Sequence, residues 1–201
     1  METQIYTPKE FPELFNLKSL SKQAVDYHIK LYDGYIKKLN EIQDEYKTIN
    51  LDTANHNYSH HRSLLVEKAY NYNAVVFHEM FFENLISKPF EPECWLKEKI
   101  EKYFKSFDTY IRDLNATVRS SRTGWAITGY NHTADTIQNY AIDSHYISVP
   151  IKISPILVID TWEHSFMPDY GIDKAGYFEH LIPEINWIIV KDRLQKAISD
   201  V

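Results

Sequence analysis

The chain has 201 residues, of which 44% are hydrophobic and 25% charged, as expected of a folded globular protein with a substantial core. Its net charge of −6 argues against a nucleic-acid binder, and an anionic substrate would have to be drawn in by local positive potential. The lone Cys94 excludes an intrachain disulfide and suits a reducing compartment. No apolar run has the length of a membrane span and the first residues lack a secretory signal, so we expect a cytoplasmic protein that binds neither nucleic acid nor membrane.

Two long helices are predicted for the N-terminal half. After an extended arm over residues 1–20, Ser21 is a candidate N-cap for the first helix. Apolar positions at intervals of three and four residues form one face of this helix: Ala24, His28, Leu31, Tyr35, Leu39, Ile42 and Tyr46. A second helix over residues 62–85 is apolar nearly all round and is expected to pack on the first. We therefore predict an N-terminal helical hairpin domain over residues 1–88.

The C-terminal half changes character after Pro89 and Pro92, which mark the best candidate boundary in the chain. Two helices, three strands and two further helices are predicted there: residues 93–103, 108–119, 123–130, 136–142, 154–160, 175–182 and 186–198. This order of elements indicates an α+β architecture. We predict a C-terminal domain over residues 93–201, in which helices surround a small three-stranded antiparallel sheet.

Four side chains stand out as candidate metal ligands. His28 and His78 lie on the apolar faces of the two long helices, and Asp160 and His164 follow the third strand. Three neutral imidazoles and one carboxylate suit iron, manganese or zinc. Each residue alone has a simpler interpretation, because a histidine on an apolar face is usually a core residue and a strand commonly ends in a surface turn. Three other histidines are expected in a solvated loop or at a helix start: His56, His60 and His61.

The run Asp160-Thr161-Trp162-Glu163-His164, with Asn186-Trp187 downstream, resembles the pattern of the iron/manganese superoxide dismutase family. The resemblance covers roughly residues 20–190 and extends to the segments around His28, His78, Trp125 and Tyr177. It implies one iron or manganese ion per chain, held by His28, His78, Asp160 and His164 with solvent as a fifth ligand. It also implies conversion of superoxide to dioxygen and hydrogen peroxide by a homodimer or homotetramer.

Further residues match positions around the family's metal. The resemblance implies that Tyr35 stands at the substrate gateway and that Trp125 and Trp162 form aromatic walls. Glu163 matches the glutamate that reaches across the family's dimer interface to the partner's metal-binding histidine. Without the resemblance, the tryptophans would be interpreted as core packing and the glutamate as a surface charge.

His145 and Lys30 complete the candidate site. His145 precedes Asp160 by 15 residues, and resembles the histidine that archaeal-type members place against the metal-bound solvent. An ordinary turn over residues 143–145 is the alternative interpretation. Lys30 lies near the expected substrate funnel, where it could attract a small anion.

Two departures from the family pattern leave the function open. The chain is one residue shorter than usual between His28 and Tyr35, so we predict a continuous α-helix where relatives carry a one-residue bulge. Leu31 and Met167 replace a histidine and a tyrosine that commonly meet between subunits. Changing both predicts a retained dimer contact, because neither is left as an unpaired polar group, but leaves proton supply by that route open.

These departures allow two alternatives to a superoxide dismutase. One is a catalytically altered structural or assembly protein of the same fold. The other is an oxygenase with two histidines and one carboxylate, which a third histidine ligand disfavours.

Overall fold

Two long helices, α1 (Lys22–Tyr46) and α2 (His60–Glu83), pack against each other in the computed structural model, which describes residues 5–200. Each begins at a serine N-cap, since the side chains of Ser21 and Ser59 accept backbone N–H groups of the first turn. The hairpin predicted from the sequence is therefore present. Residues 5–11 are without regular structure and lead into a short 3-10 turn, while residues 1–4 of the predicted arm lie outside the described part.

Helix α1 is α-helical throughout, so the predicted continuous helix between His28 and Tyr35 is confirmed. Its buried face differs from the predicted one, because Tyr32 and Ile36 are buried whereas Leu31 and Tyr35 are only half-buried. In a straight α-helix, residues seven apart lie on nearly the same side. His28 and Tyr35 therefore both face the C-terminal half of the protein.

The C-terminal half holds five helices among the described residues and one sheet, the α+β arrangement predicted from the sequence. The helices are α3 (Cys94–Phe104), α4 (Phe107–Ser120), α5 (Glu163–Tyr170), α6 (Lys174–Leu181) and α7 (Trp187–Ser199). The strands are β1 (Trp125–Asn131), β2 (Thr136–Ile142) and β3 (Ile153–Asp160), all antiparallel in the order β2-β1-β3. Helix α5 was not predicted as a separate element.

The sheet register sets the position of the candidate site. Trp125, the first residue of the central strand, pairs with Asp160, the last residue of β3. Gly124 precedes it with φ +146°, and a Cβ there would lie 1.9 Å from the backbone oxygen of Ile142. Only glycine therefore fits this approach. The backbone carbonyl of Gly124 accepts the N–H of Thr161 at 2.9 Å, which fixes the chain just beyond Asp160.

Asn84, at the end of α2, joins the two halves. Its side-chain amide donates to the backbone carbonyl of Val158 at 2.7 Å, and its backbone carbonyl accepts the backbone N–H of Asn186 at 2.7 Å. One apolar core continues across both halves. The division into domains over residues 1–88 and 93–201 stays a prediction. Among residues 5–200, no helix combines the length and apolar character needed to cross a membrane.

Candidate metal centre

The four predicted ligands converge where the helical hairpin meets the end of the sheet. The Nε2 atoms of His28, His78 and His164 lie 3.2, 3.8 and 3.4 Å from Oδ2 of Asp160. One donor atom from each residue fits within a group 4.8 Å across. Donor atoms sharing one ion at about 2.1 Å would be about 3 to 4 Å apart, so this spacing suits a single ion.

Two features of the donors suit a metal ion. The buried Nε2 atoms of His78 and His164 have no hydrogen-bond partner among the described residues. The Nδ1 of His78 lies 2.6 Å from the carbonyl of Ala74, which can only accept, so Nδ1 carries the proton and Nε2 presents a lone pair. This is the protonation state that a metal-binding imidazole requires.

The charges in the pocket agree with this donor set. Burial lowers the pKa of His28 and of His78, so both imidazoles are neutral near pH 7. Burial by itself raises the pKa of Asp160, but His164 and His28 outweigh it and hold that pKa below its usual range. Oδ1 of Asp160 accepts the N–H of Trp162 at 2.8 Å, which leaves Oδ2 for the centre. The pocket thus presents one carboxylate beside the neutral imidazoles of His28 and His78.

Trp125 and Trp162 line this pocket as well as packing in the core. The Trp125 ring stands edge-on to His78 at 5.0 Å, and the Trp162 ring stacks on His164 at 6.2 Å. Both tryptophans also contact His145. The core interpretation and the wall interpretation are therefore compatible for these residues.

His145 is fully buried beside the centre rather than exposed in a turn. Its Nδ1 accepts the indole N–H of Trp125 at 3.1 Å, and its Nε2 lies 3.3 Å from the Tyr35 hydroxyl. An indole nitrogen can only donate, so a neutral His145 carries its proton on Nε2 and donates it toward Tyr35. Burial lowers the pKa of His145 to about 4, and burial raises that of Tyr35. Both groups are neutral near pH 7.

Other predicted residues lie at the rim. Glu163 is exposed at the start of α5, beside His164, whose side chain is 28% exposed, and Met167 one turn further on is 44% exposed. Lys30 is exposed and paired with Asp26 at 2.6 Å, which offsets its charge. His60 and His61 open α2 and contact Glu45 and Tyr46 outside the centre.

Two residues of α2 that were not predicted from the sequence hold His145 in place. The amide of Asn73 donates to the His145 carbonyl at 2.7 Å, and the Tyr70 ring stands edge-on to the imidazole at 4.6 Å. Tyr70 precedes Ala74 and His78 by four and eight residues, a spacing that puts all three on one side of a helix. From this spacing, the sequence could have indicated that Tyr70 lies on the same side of α2 as His78.

A largely buried pocket in which three imidazoles and one carboxylate meet from both halves of the chain is the arrangement of a mononuclear non-haem metalloprotein. Residues 92–193 match the family described as iron/manganese superoxide dismutases, C-terminal domain. The chain is 34% identical over 197 residues to the iron superoxide dismutases of Aquifex pyrophilus and Aquifex aeolicus, across 96% of this chain and 92% of each relative. It is 25% identical over 180 residues to a manganese superoxide dismutase of Halobacterium salinarum, across 89% of this chain and 88% of the relative. The chain belongs to the iron/manganese superoxide dismutase family, whose members are oxidoreductases, and the resemblance seen in the sequence is confirmed.

Proposed function

We propose that this protein converts two superoxide anions and two protons into dioxygen and hydrogen peroxide at one iron or manganese ion held by His28, His78, Asp160 and His164. The convergence of these donors, with two buried Nε2 atoms unpaired within residues 5–200, carries the proposal. A bound iron or manganese ion supplies the one-electron redox couple that zinc lacks. An assembly protein without catalysis would have no use for this donor set.

The chain's own residues orient and protonate the small substrate. Trp125 fixes the His145 tautomer, and His145 in turn donates to the Tyr35 oxygen, which leaves the Tyr35 hydroxyl proton free to be donated. Tyr35 is half-buried at the edge of the pocket and is the proposed gateway residue. The aromatic rings packed against the histidines lower the local dielectric constant, which strengthens each of these polar interactions.

The proposal extends to a homodimer formed through α5. Glu163 is exposed there beside the partly exposed His164, and the neighbouring Met167 offers an apolar contact. A carboxylate from a partner subunit would fix the His164 ring, as hydrogen-bond partners of metal-binding histidines generally do. Sedimentation of the Glu163→Ala variant tests this, since the variant should dissociate more readily than the wild type. A cytoplasmic location remains the expectation from the sequence.

The test of the function combines metal analysis with superoxide consumption. The wild type should bind about one iron or manganese per chain and consume superoxide. Asp160→Asn and, separately, His164→Ala should lose both properties, because each removes a charged or coordinating donor. His132→Gln is the matched control, since His132 bonds Ser154 at 2.7 Å outside the centre.

Full metal content and activity in either ligand variant would rule out the ligand assignment. A wild type that binds the metal without consuming superoxide would instead favour the structural alternative.

A further inference from the structure

The supply of protons to Tyr35 is the open question at this site. Each hydrogen peroxide formed needs two protons, and the Tyr35 ring packs against His78 at 5.3 Å, at the inner edge of the pocket. Leu31, one turn earlier on α1, is apolar and cannot carry a proton. His145 donates to the Tyr35 oxygen but lies fully buried, so it has no direct access to solvent.

Tyr70 lies on the outer side of Tyr35. The two rings are 6.2 Å apart at 60°, in edge contact, and the two phenol groups interact electrostatically. Outward, the Tyr70 ring contacts that of Tyr146 at 5.7 Å, and Tyr146 is 47% exposed. Tyr70 itself is half-buried. Its phenol therefore lies between the half-buried Tyr35 and the exposed Tyr146 at the protein surface.

The direction of the hydrogen bonds follows from Trp125. Its indole can only donate, so His145 accepts at Nδ1 and donates from Nε2 to the Tyr35 oxygen. The single hydroxyl proton of Tyr35 is then left with two possible acceptors, the Tyr70 oxygen and a substrate anion in the pocket. When Tyr35 turns its proton toward a substrate, the Tyr70 hydroxyl is the neighbouring donor that can take its place.

We propose that Tyr70 relays protons from solvent to Tyr35, an inference that rests on the proposed superoxide dismutase activity. Tyr35 gives its proton to the reduced substrate, Tyr70 gives its proton to the Tyr35 oxygen, and solvent reprotonates Tyr70. Two such transfers deliver the two protons of each hydrogen peroxide, and both tyrosines end as they began. Tyr70 acts through Tyr35 and does not touch the substrate.

The Tyr70→Phe variant tests the relay because it removes only the hydroxyl. We expect kcat per bound metal to fall about tenfold at saturating superoxide, while kcat/KM changes less than twofold, since anion capture needs no proton. A small general acid such as imidazolium added to the buffer should restore most of kcat. Tyr72→Phe is the matched control: Tyr72 lies two residues further along α2, is exposed and contacts Tyr6, so its kcat should stay unchanged.

A second measurement is independent of turnover. In the zinc-loaded protein, which has no redox activity, NMR of tyrosines labelled at the ring carbon bearing the hydroxyl should show a shifted Tyr35 signal in Tyr70→Phe and not in Tyr72→Phe. An unchanged kcat, or a lowered kcat that no added acid restores, would overturn the relay. If the wild type consumed no superoxide, the proposed function would fail instead, and an unchanged Tyr35 signal would then separately refute the contact between the two phenol groups.

Discussion

At the scale of single residues, His145 shows which features of the site the sequence can predict and which it cannot. Its spacing from Asp160 favoured a place beside the centre, yet the same three residues also fitted a turn. The structure decides through the partners of its two nitrogens, Trp125 and Tyr35, which come from a strand and a helix far away in the chain. No local pattern could reveal these contacts, because they depend on the register that pairs Trp125 with Asp160.

The burial of His145 predicts a pH-dependent stability. Its pKa is about 4 in the folded protein, because of burial, and about 6.5 in an unfolded chain. As the pH falls, the His145 imidazole of the unfolded chain binds its proton before that of the folded protein does. The free energy of unfolding is therefore highest above pH 6.5 and decreases as the pH falls toward 4. Between pH 7 and pH 4, the wild type should lose about 3 kcal/mol more unfolding free energy than His145→Gln. Urea denaturation at several pH values measures the difference, and parallel curves for the two proteins would contradict it.

At the scale of the elements, helix and strand positions were predictable because their periodicity is strong. Strand β2 was predicted at its observed limits, and the other strands and the long helices to within about two residues. Helix α5 was missed because it is only eight residues long and contains Pro168, which usually argues against a helix. The buried face of α1 was placed too close to Leu31, because Tyr32 and Ile36 become core residues only through contacts with other elements.

Inserting one alanine between Ile29 and Lys30 tests why α1 is straight. A uniform α-helix would rotate its second half by about 100° and expose Tyr32, Ile36 and Leu39, at about 1.5–3 kcal/mol for each side chain. A single wide turn would sacrifice about one hydrogen bond, roughly 1 kcal/mol, and keep these side chains buried. We therefore expect the insertion to be absorbed as a bulge, with a loss of about 1–2 kcal/mol and Tyr35 still next to His145.

Chemical denaturation and a crystal structure of the insertion variant measure this outcome. An alanine inserted between Thr48 and Ile49, in the connection after α1, is the control and should have little effect on stability. A loss above about 5 kcal/mol in the α1 variant alone would show that the helix rotates.

At the scale of the whole molecule, the candidate metal centre lies where the two halves of the chain meet. His28 and His78 come from the helical hairpin, whereas Asp160 and His164 come from the end of the sheet and the start of α5. The sequence alone indicated which residue types were available, but their convergence depends on contacts between the halves, such as those of Asn84. The resemblance to the superoxide dismutase family predicted that the four side chains converge, whereas the periodicity of the helices and strands could not.

Because the proposed ligands come from both halves of the chain, metal binding should stabilise the fold as a whole. A ligand that binds only the folded state contributes about 4 kcal/mol at a free concentration 1,000 times its Kd. For a chain of 201 residues, each kcal/mol raises Tm by about 2–4 °C, so loading with iron or manganese should raise Tm by about 8–16 °C over the chelator-treated protein. Calorimetry should show this increase for the wild type and for His132→Gln, and almost none for Asp160→Asn. An equal increase in Asp160→Asn would place the ion elsewhere in the protein.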